Sequence, residues 1–133
     1  MAITPVADMV ARAAARIRTI PVAEALELRQ DPGVRFVDIR DIRELDREGR
    51  IPDALHAPRG MLEFWVDPAS PYHREIFASG RLFIFFCAMG WRAALATAAV
   101  QDMGLTPVAS LEGGFKAWQQ AGGPVTPPER TGN

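Results

Sequence analysis

The sequence predicts an α/β fold built on a mostly parallel sheet with right-handed crossovers, and three observations carry that prediction. Short apolar runs alternate with amphipathic segments, joined by brief turns rich in Gly, Pro and Asp. Two of the runs, VRFVDIR at 34–40 and LFIFF at 82–86, are apolar on both faces, as strands covered by helices on two sides require. The second runs straight into the chain's one cysteine and then, past a short loop, into a helical stretch of small residues, LFIFFCAMGWRAALATAAVQDMG. In sheets of this kind ligands bind beyond the carboxyl ends of the strands, which is where Cys87 stands.

The elements follow in order. Met9, Ala13 and Ile17 at helical spacing predict a docking helix or extension over residues 1–17, ahead of a domain over 18–123 and a flexible tail over 124–133. Arg18–Ile20 reads as a short strand; Pro21 suits the first turn of a helix whose stripe is Val22, Ala25 and Leu26, stopped by Asp31, Pro32 and Gly33. After the strand at 34–40, a charged helix over 41–50 carries Ile42 and Leu45 and closes at Gly49, before a short strand over 55–58. Residues 60–66 and 72–78 read as two short helices separated by Asp67, Pro68, Ser70 and Pro71, with Trp65 placed to form part of an exposed docking patch. Leu82–Phe86 has the character of a central strand, and the alanines of the helix over 92–103 allow close approach to the sheet, with Gly104 as its left-handed cap. A last strand at 108–111 leads through Gly113 and Gly114 to a helix whose core residues are Phe115 and Trp118, with Glu112 as its candidate cap.

Composition bounds the function. In 133 residues, 48% are apolar, and 15 basic against 16 acidic side chains leave a charge of −1, so neither disorder nor an electrostatic grip on nucleic acid is favoured. Small molecules or proteins are the expected partners. No stretch approaches the roughly 18 apolar residues of a membrane span, and the N-terminus lacks the apolar core of a secretory signal, so a cytoplasmic protein without membrane attachment is expected. One Cys and two His exclude an intramolecular disulfide and a Cys-rich zinc site; no metal and no organic cofactor are expected.

A lone cysteine in apolar surroundings is ordinarily an inert small hydrophobe. Here its position argues for chemistry: between strand end and helix start, unpaired backbone N–H groups and the positive end of the helix dipole favour an anionic sulfur. Gly90 lets the loop curl into an anion nest, and Arg92 adds a permanent charge where the dipole alone would disfavour one. Such a thiolate can attack phosphorus or a sulfane sulfur. Phosphoryl transfer needs a general acid and a cradle for three oxygens, whereas sulfur transfer needs a nucleophile, a nest for one anionic sulfur and an open mouth.

Four stretches carry a resemblance: VDIR at 37–40, GRIPDALHAPR at 49–59, CAMGWR at 87–92 and LEGGFKAW at 111–118. In this order and spacing they are similar to the GHIPGA segment, the CxxGxR loop and the GG-x-x-AW ending of single-domain rhodanese-like sulfurtransferases. The resemblance implies a three-layer fold with a five-stranded parallel sheet and helices on both faces, Cys87 as persulfide carrier, and Ala88, Met89, Gly90, Trp91 and Arg92 as the substrate-binding loop. It also implies a sulfane-sulfur donor, small molecule or protein, and a thiol or cyanide acceptor. Related phosphatases use C-x5-R, one residue longer than the span from Cys87 to Arg92, and the shorter cradle suits one sulfur. Arg50 and Asp53 depart from the His and second Gly of GHIPGA, which reads as a change in a turn. Ala88 and Met89 carry no charge, so the nest holds fewer cations than in thiosulfate-specialised members, and Met89 and Trp91 offer an apolar rim suited to a protein persulfide or a small organic one. Asp38, Arg40 and Arg59 are the supporting candidates, the first two by pairing with each other or the loop and the third at the pocket mouth; His56 reads as packed or surface. Two alternatives stand beside the enzyme: a non-catalytic rhodanese-like binding or sulfur-relay module, and a Cys-dependent phosphatase.

Overall fold

A computed structural model describes residues 2–128. Strands β1 (Arg18–Ile20), β2 (Val34–Asp38), β3 (Leu55–His56), β4 (Leu82–Phe86) and β5 (Val108–Leu111) form one five-stranded sheet, ordered β1-β5-β4-β2-β3, with every neighbouring pair parallel. β4, apolar at every position, takes the centre. Its side chains alternate between faces, so Phe83, Phe85 and then Cys87 enter one core with Leu62, Val66, Ala93, Ala96 and Val100. Ile84 and Phe86 enter the other, with Ala25, Phe36, Phe115 and Trp118. The two layers of helices follow: α4 (Leu62–Val66) and α5 (Trp91–Asp102) on the first face, α2 (Val22–Leu28) and α6 (Gly114–Gln120) on the second.

Local chemistry sets the helix ends. α3 (Ile42–Glu48) opens on a capping box, in which Asp41 accepts from the backbone of Arg43 while the Glu44 carboxylate accepts from Asp41 N–H, and it closes at Gly49 with φ +88°. α5 closes as read from the sequence: Gly104, φ +102°, lets Leu105 N–H reach Val100 O at 3.0 Å and Gly104 N–H reach Gln101 O at 2.9 Å. α1 (Val6–Ala14) lies on α5, with Ala13 packed among Ala94 and Ala98, and Arg16 makes a two-pronged ion pair with Asp102 at 2.6 and 2.9 Å.

Several readings are corrected. The docking face is Val10 and Ala13 of α1 with Ile17 from the turn after it; Met9 stays 46% exposed, because a tertiary partner selects among stripes of nearly equal spacing. β2 stops at Asp38: Ile39 N–H still makes the last ladder bond, to Phe86 O, but Arg40 N–H folds back to Asp38 Oδ1 at 3.0 Å, and β3 is only two residues long. Residues 60–66 divide into a 3-10 turn at Arg59–Met61 and α4, and of residues 72–78 only Glu75–Ala78 coil, as a 3-10 turn. Trp65 is half-buried with the Arg74 guanidinium 4.2 Å over its ring, and the exposed aromatic pair is Phe64 with Tyr72. Glu112 does not cap α6: its side chain makes no capping bond, Gly113 holds that position at φ +74°, and Glu112 N–H bonds Ile20 O. Of the tail expected over 124–133, Thr126 bridges Arg50 and Trp118 Nε1 donates to Pro124 O at 2.8 Å, while residues 129–133 lie outside the described residues. Among the described residues no helix is long and apolar enough to cross a membrane.

Candidate active site

The pairing of Asp38 with Phe86 brings the carboxyl ends of β2 and β4 out side by side, with Cys87 as the next residue of the central strand. Cys87 is 1% exposed, at the floor of the loop that follows. Gly90 adopts φ +129°, a region L side chains avoid, and in that conformation its N–H donates to Cys87 Sγ at 3.1 Å. The hydrogen bonds of α5 begin with Ala94 N–H on Gly90 O, so the N–H groups of Trp91, Arg92 and Ala93 lie ahead of the helical ladder at its positive end.

The other side of the loop is held by α6. Phe115 N–H donates to Cys87 O at 2.8 Å and Lys116 N–H to Ala88 O at 3.1 Å, so two first-turn amides of α6 find their acceptors in the loop. That approach requires glycine at 114, where a Cβ would stand 2.5 Å from Cys87 O and 2.8 Å from Ala88 O. Met89 and Trp91 point outward, 63% and 55% exposed. Beside them a cleft is lined by Glu48, Ala88, Met89, Phe115, Lys116 and Gln119.

Arg92 is gripped by Glu44, with Nη1 to Oε2 at 2.8 Å and Nη2 to Oε1 at 2.9 Å. The Glu44 carboxylate chiefly, with smaller contributions from the Cys87 sulfur, holds the guanidinium above its ordinary value, and Arg92 in turn holds Glu44 below the usual carboxylate range. Glu44 went unnoticed in the sequence; the D-x-x-E spacing at 41–44 marks it as a capping residue, but nothing local joins it to a residue of another helix.

Asp38 and Arg40 pair with each other behind the loop. Arg40, 0% exposed, gives Nε to Asp38 Oδ1 at 3.0 Å and Nη2 to Oδ2 at 2.8 Å, and also bonds Gly49 O at 2.9 Å. Glu48 stands 3.5 Å from Nη1, and the guanidinium lies 4.2 Å over the Phe115 ring. Arg40 therefore braces the residue whose N–H holds Cys87 O. His56 Nε2 lies 2.7 Å from Arg40 O, a packed role, and the guanidinium of Arg59 is taken up by Glu63 at 2.6 Å, an i,i+4 pair within its own segment and not a contact to the loop.

Similarity to known proteins agrees with this geometry. The human thiosulfate:glutathione sulfurtransferase is 26% identical over 75% of this chain and 91% of its own length. An uncharacterized Synechocystis protein is 31% identical over 80% of this chain, which spans only about half, 55%, of that relative. Among solved structures, a Rhodopseudomonas palustris protein of unknown function, described as a possible tyrosine phosphatase, is 47% identical with TM-score 0.91 over 95% of this chain and 97% of its own. The polysulfide-sulfur transferase homodimer of Wolinella succinogenes is 25% identical with TM-score 0.69 over 95% and 90%. The family described as rhodanese-like domain matches residues 21–121, the stretch from the start of α2 through α6 that builds the cysteine loop and everything bracing it, and the chain belongs to that family.

Proposed function

We propose that the protein is a sulfurtransferase that carries sulfane sulfur on Cys87. The observation that carries this reading is a thiol at the mouth of the central strand with a loop N–H 3.1 Å from its sulfur, separated by four residues from a fixed guanidinium. In the first step Cys87 Sγ⁻ attacks the outer sulfur of a donor R–S–S⁻; the new S–S bond forms as the old one breaks, and its electron pair leaves on R–S⁻, which takes a proton from water. The Gly90 N–H and the amides at the start of α5 stabilise the anionic terminal sulfur, which lies about 2 Å beyond Sγ, beside the ion-paired Arg92. In the second step an acceptor thiolate or cyanide attacks that sulfur and the Cys87 thiolate is regenerated. No electrons enter or leave the protein, and a reducing cytoplasm keeps the thiol free.

The relatives named for sulfur transfer support this reading. The phosphatase description of the Rhodopseudomonas palustris protein favours a second one, but the carboxylate bonded to this loop, Glu44, is committed to Arg92 and not free to protonate a leaving group. Incubation with thiosulfate or an alkyl persulfide and measurement of intact mass tests the proposal. An adduct of about 32 Da, one sulfur atom, lost in Cys87→Ala, is the expected result. No adduct with any donor refutes it; Cys87-dependent turnover of an aryl phosphate would install the phosphatase, and activity equal in wild type and Cys87→Ala would leave a binding module.

A further inference from the structure

The charges around the loop cancel. Arg92 faces Glu44, Arg40 faces Asp38, and the cleft beside Met89 contributes one Lys116 and one Glu48. Residues 88–91 carry no charge. The pairing at Arg92 is also a rigid one: both terminal nitrogens are engaged, the Glu44 side chain is only 17% exposed, and the same carboxylate closes the capping box of α3 at 2.9 Å from Asp41 N–H. A guanidinium satisfied in this two-pronged way keeps its place but contributes little net field to an incoming anion. Meanwhile Met89 and Trp91 stand exposed on the rim, an apolar surface next to a site with no surplus cation.

We propose that Glu44 is a specificity-determining residue. By holding Arg92 in a closed ion pair it removes the cation that a dianion would need, and it tunes the site to monoanionic persulfides with an apolar body that rests on Met89 and Trp91, in preference to thiosulfate. This inference rests on the sulfur-transfer reading. With the persulfide the leaving group is R–S⁻; with thiosulfate the same attack breaks the S–S bond and releases sulfite, a dianion formed beside a carboxylate.

The test compares three donors on the full-length chain: thiosulfate, N-acetylcysteine persulfide, and its methyl ester, which lacks one charge but keeps the bulk. Single-turnover loading of Cys87 is followed by intact mass against donor concentration, which separates half-saturation from the maximal rate. Wild type is expected to load fastest from the ester, then the acid, then thiosulfate. Glu44→Gln keeps an oxygen for the Asp41 N–H, so the cap of α3 survives, yet frees the charge of Arg92. The preference for thiosulfate relative to the ester then rises about tenfold, the scale of one additional unit charge meeting an uncancelled guanidinium at a half-exposed site. The gain resides in half-saturation and shrinks as ionic strength increases. Met89→Lys, on a residue 63% exposed, supplies a cation without touching the core and moves the ratio the same way. A ratio unchanged in both variants while Cys87 still loads overturns the inference and leaves sulfur transfer standing; failure of every donor to load Cys87 in wild type overturns both.

Discussion

Replacing Asp38 by Asn strikes the one fully buried ion pair behind the loop. Asn has the shape of Asp and still offers an oxygen, but its amide sets a donor against a guanidinium that is itself all donors, and the charge of Arg40 is left behind at 0% exposure. Breaking a buried pair from one side costs about 3–5 kcal/mol. Glu48, 3.5 Å from Nη1 but 42% exposed, replaces part of the lost carboxylate, which places the expected loss at the low end, about 3 kcal/mol. For a chain of this size each kcal/mol lowers the melting temperature by about 4 °C, so Asp38→Asn melts roughly 12 °C early. The paired change Asp38→Leu with Arg40→Met removes both charges and is expected to cost less than Asp38→Asn alone, because desolvation of an uncompensated ion disappears with the ion. Urea and thermal unfolding of wild type, Asp38→Asn and the double variant measure this. The reasoning fails if Asp38→Asn costs under about 1 kcal/mol, or if the double variant is the least stable of the set.

Further outcomes follow from the same geometry. Gly114→Ala drives a Cβ to 2.5 Å from Cys87 O at φ +63°, and is expected to cost 2 kcal/mol or more, with sulfur loading of Cys87 reduced at least about tenfold. At Gly90 the nearest atom to an added Cβ is 4.0 Å away, so Gly90→Ala meets only the strain of φ +129°, about 1–3 kcal/mol, and its loss of loading rate is expected to exceed its loss in urea midpoint. Asp53 sits at φ +66°, the position where the GHIPGA pattern has glycine, and Asp53→Gly is expected to stabilise by about 0.5 kcal/mol in the same unfolding assay. Glu44, depressed by Arg92, and Asp41, lowered to about 2 chiefly by the Arg43 side chain, both contribute stability that is complete above the ordinary carboxylate range and is lost as pH falls through their folded values. Urea midpoints are therefore expected to fall on acidification, less steeply in Arg92→Met, which has already lost the Glu44 pair.

What was legible in the sequence was local. β4, its cysteine, the loop and α5 with its Gly104 cap are a continuous stretch in which apolar runs and glycines do their work within a few residues of one another. The elements misread are those that a distant partner decides. Met9 and Val10 both fit a helical stripe, and α5 selects Val10. Phe64 and Trp65 are neighbours of similar character, and Arg74 covers Trp65. Ile39 and Arg40 look like strand, yet the ladder ends with the Ile39 N–H bond to Phe86 O, because Arg40 turns inward to Asp38 with both its backbone N–H and its guanidinium. Glu44 shows the limit most clearly: its capping role follows from residues 41–44, while its grip on Arg92, 48 positions away, exists only because β2 and β4 are adjacent in the sheet and their following helices begin side by side.

The loop at 87–92 and the GGFKAW stretch, which the sequence presents as two separate motifs, are one device. A trans peptide carries its N–H and C=O in opposite directions. Docking Cys87 O and Ala88 O onto the amides of Phe115 and Lys116 therefore turns the N–H groups of Ala88 and Met89 away from α6, and the loop cannot rotate them back without breaking two bonds. Four residues are too few to fix their own orientation, and no side chain among Ala88, Met89, Gly90 and Trp91 hydrogen-bonds within the loop to do it. The start of α6 supplies the constraint from outside, and it comes close enough only because Gly114 has no side chain. Arg40, stacked on Phe115 and anchored to Asp38, then ties that helix start to the end of β2. The glycine pair is thus as much a part of the cysteine site as Gly90 is, which is why a substitution at 114, outside the loop itself, is expected to reach the sulfur.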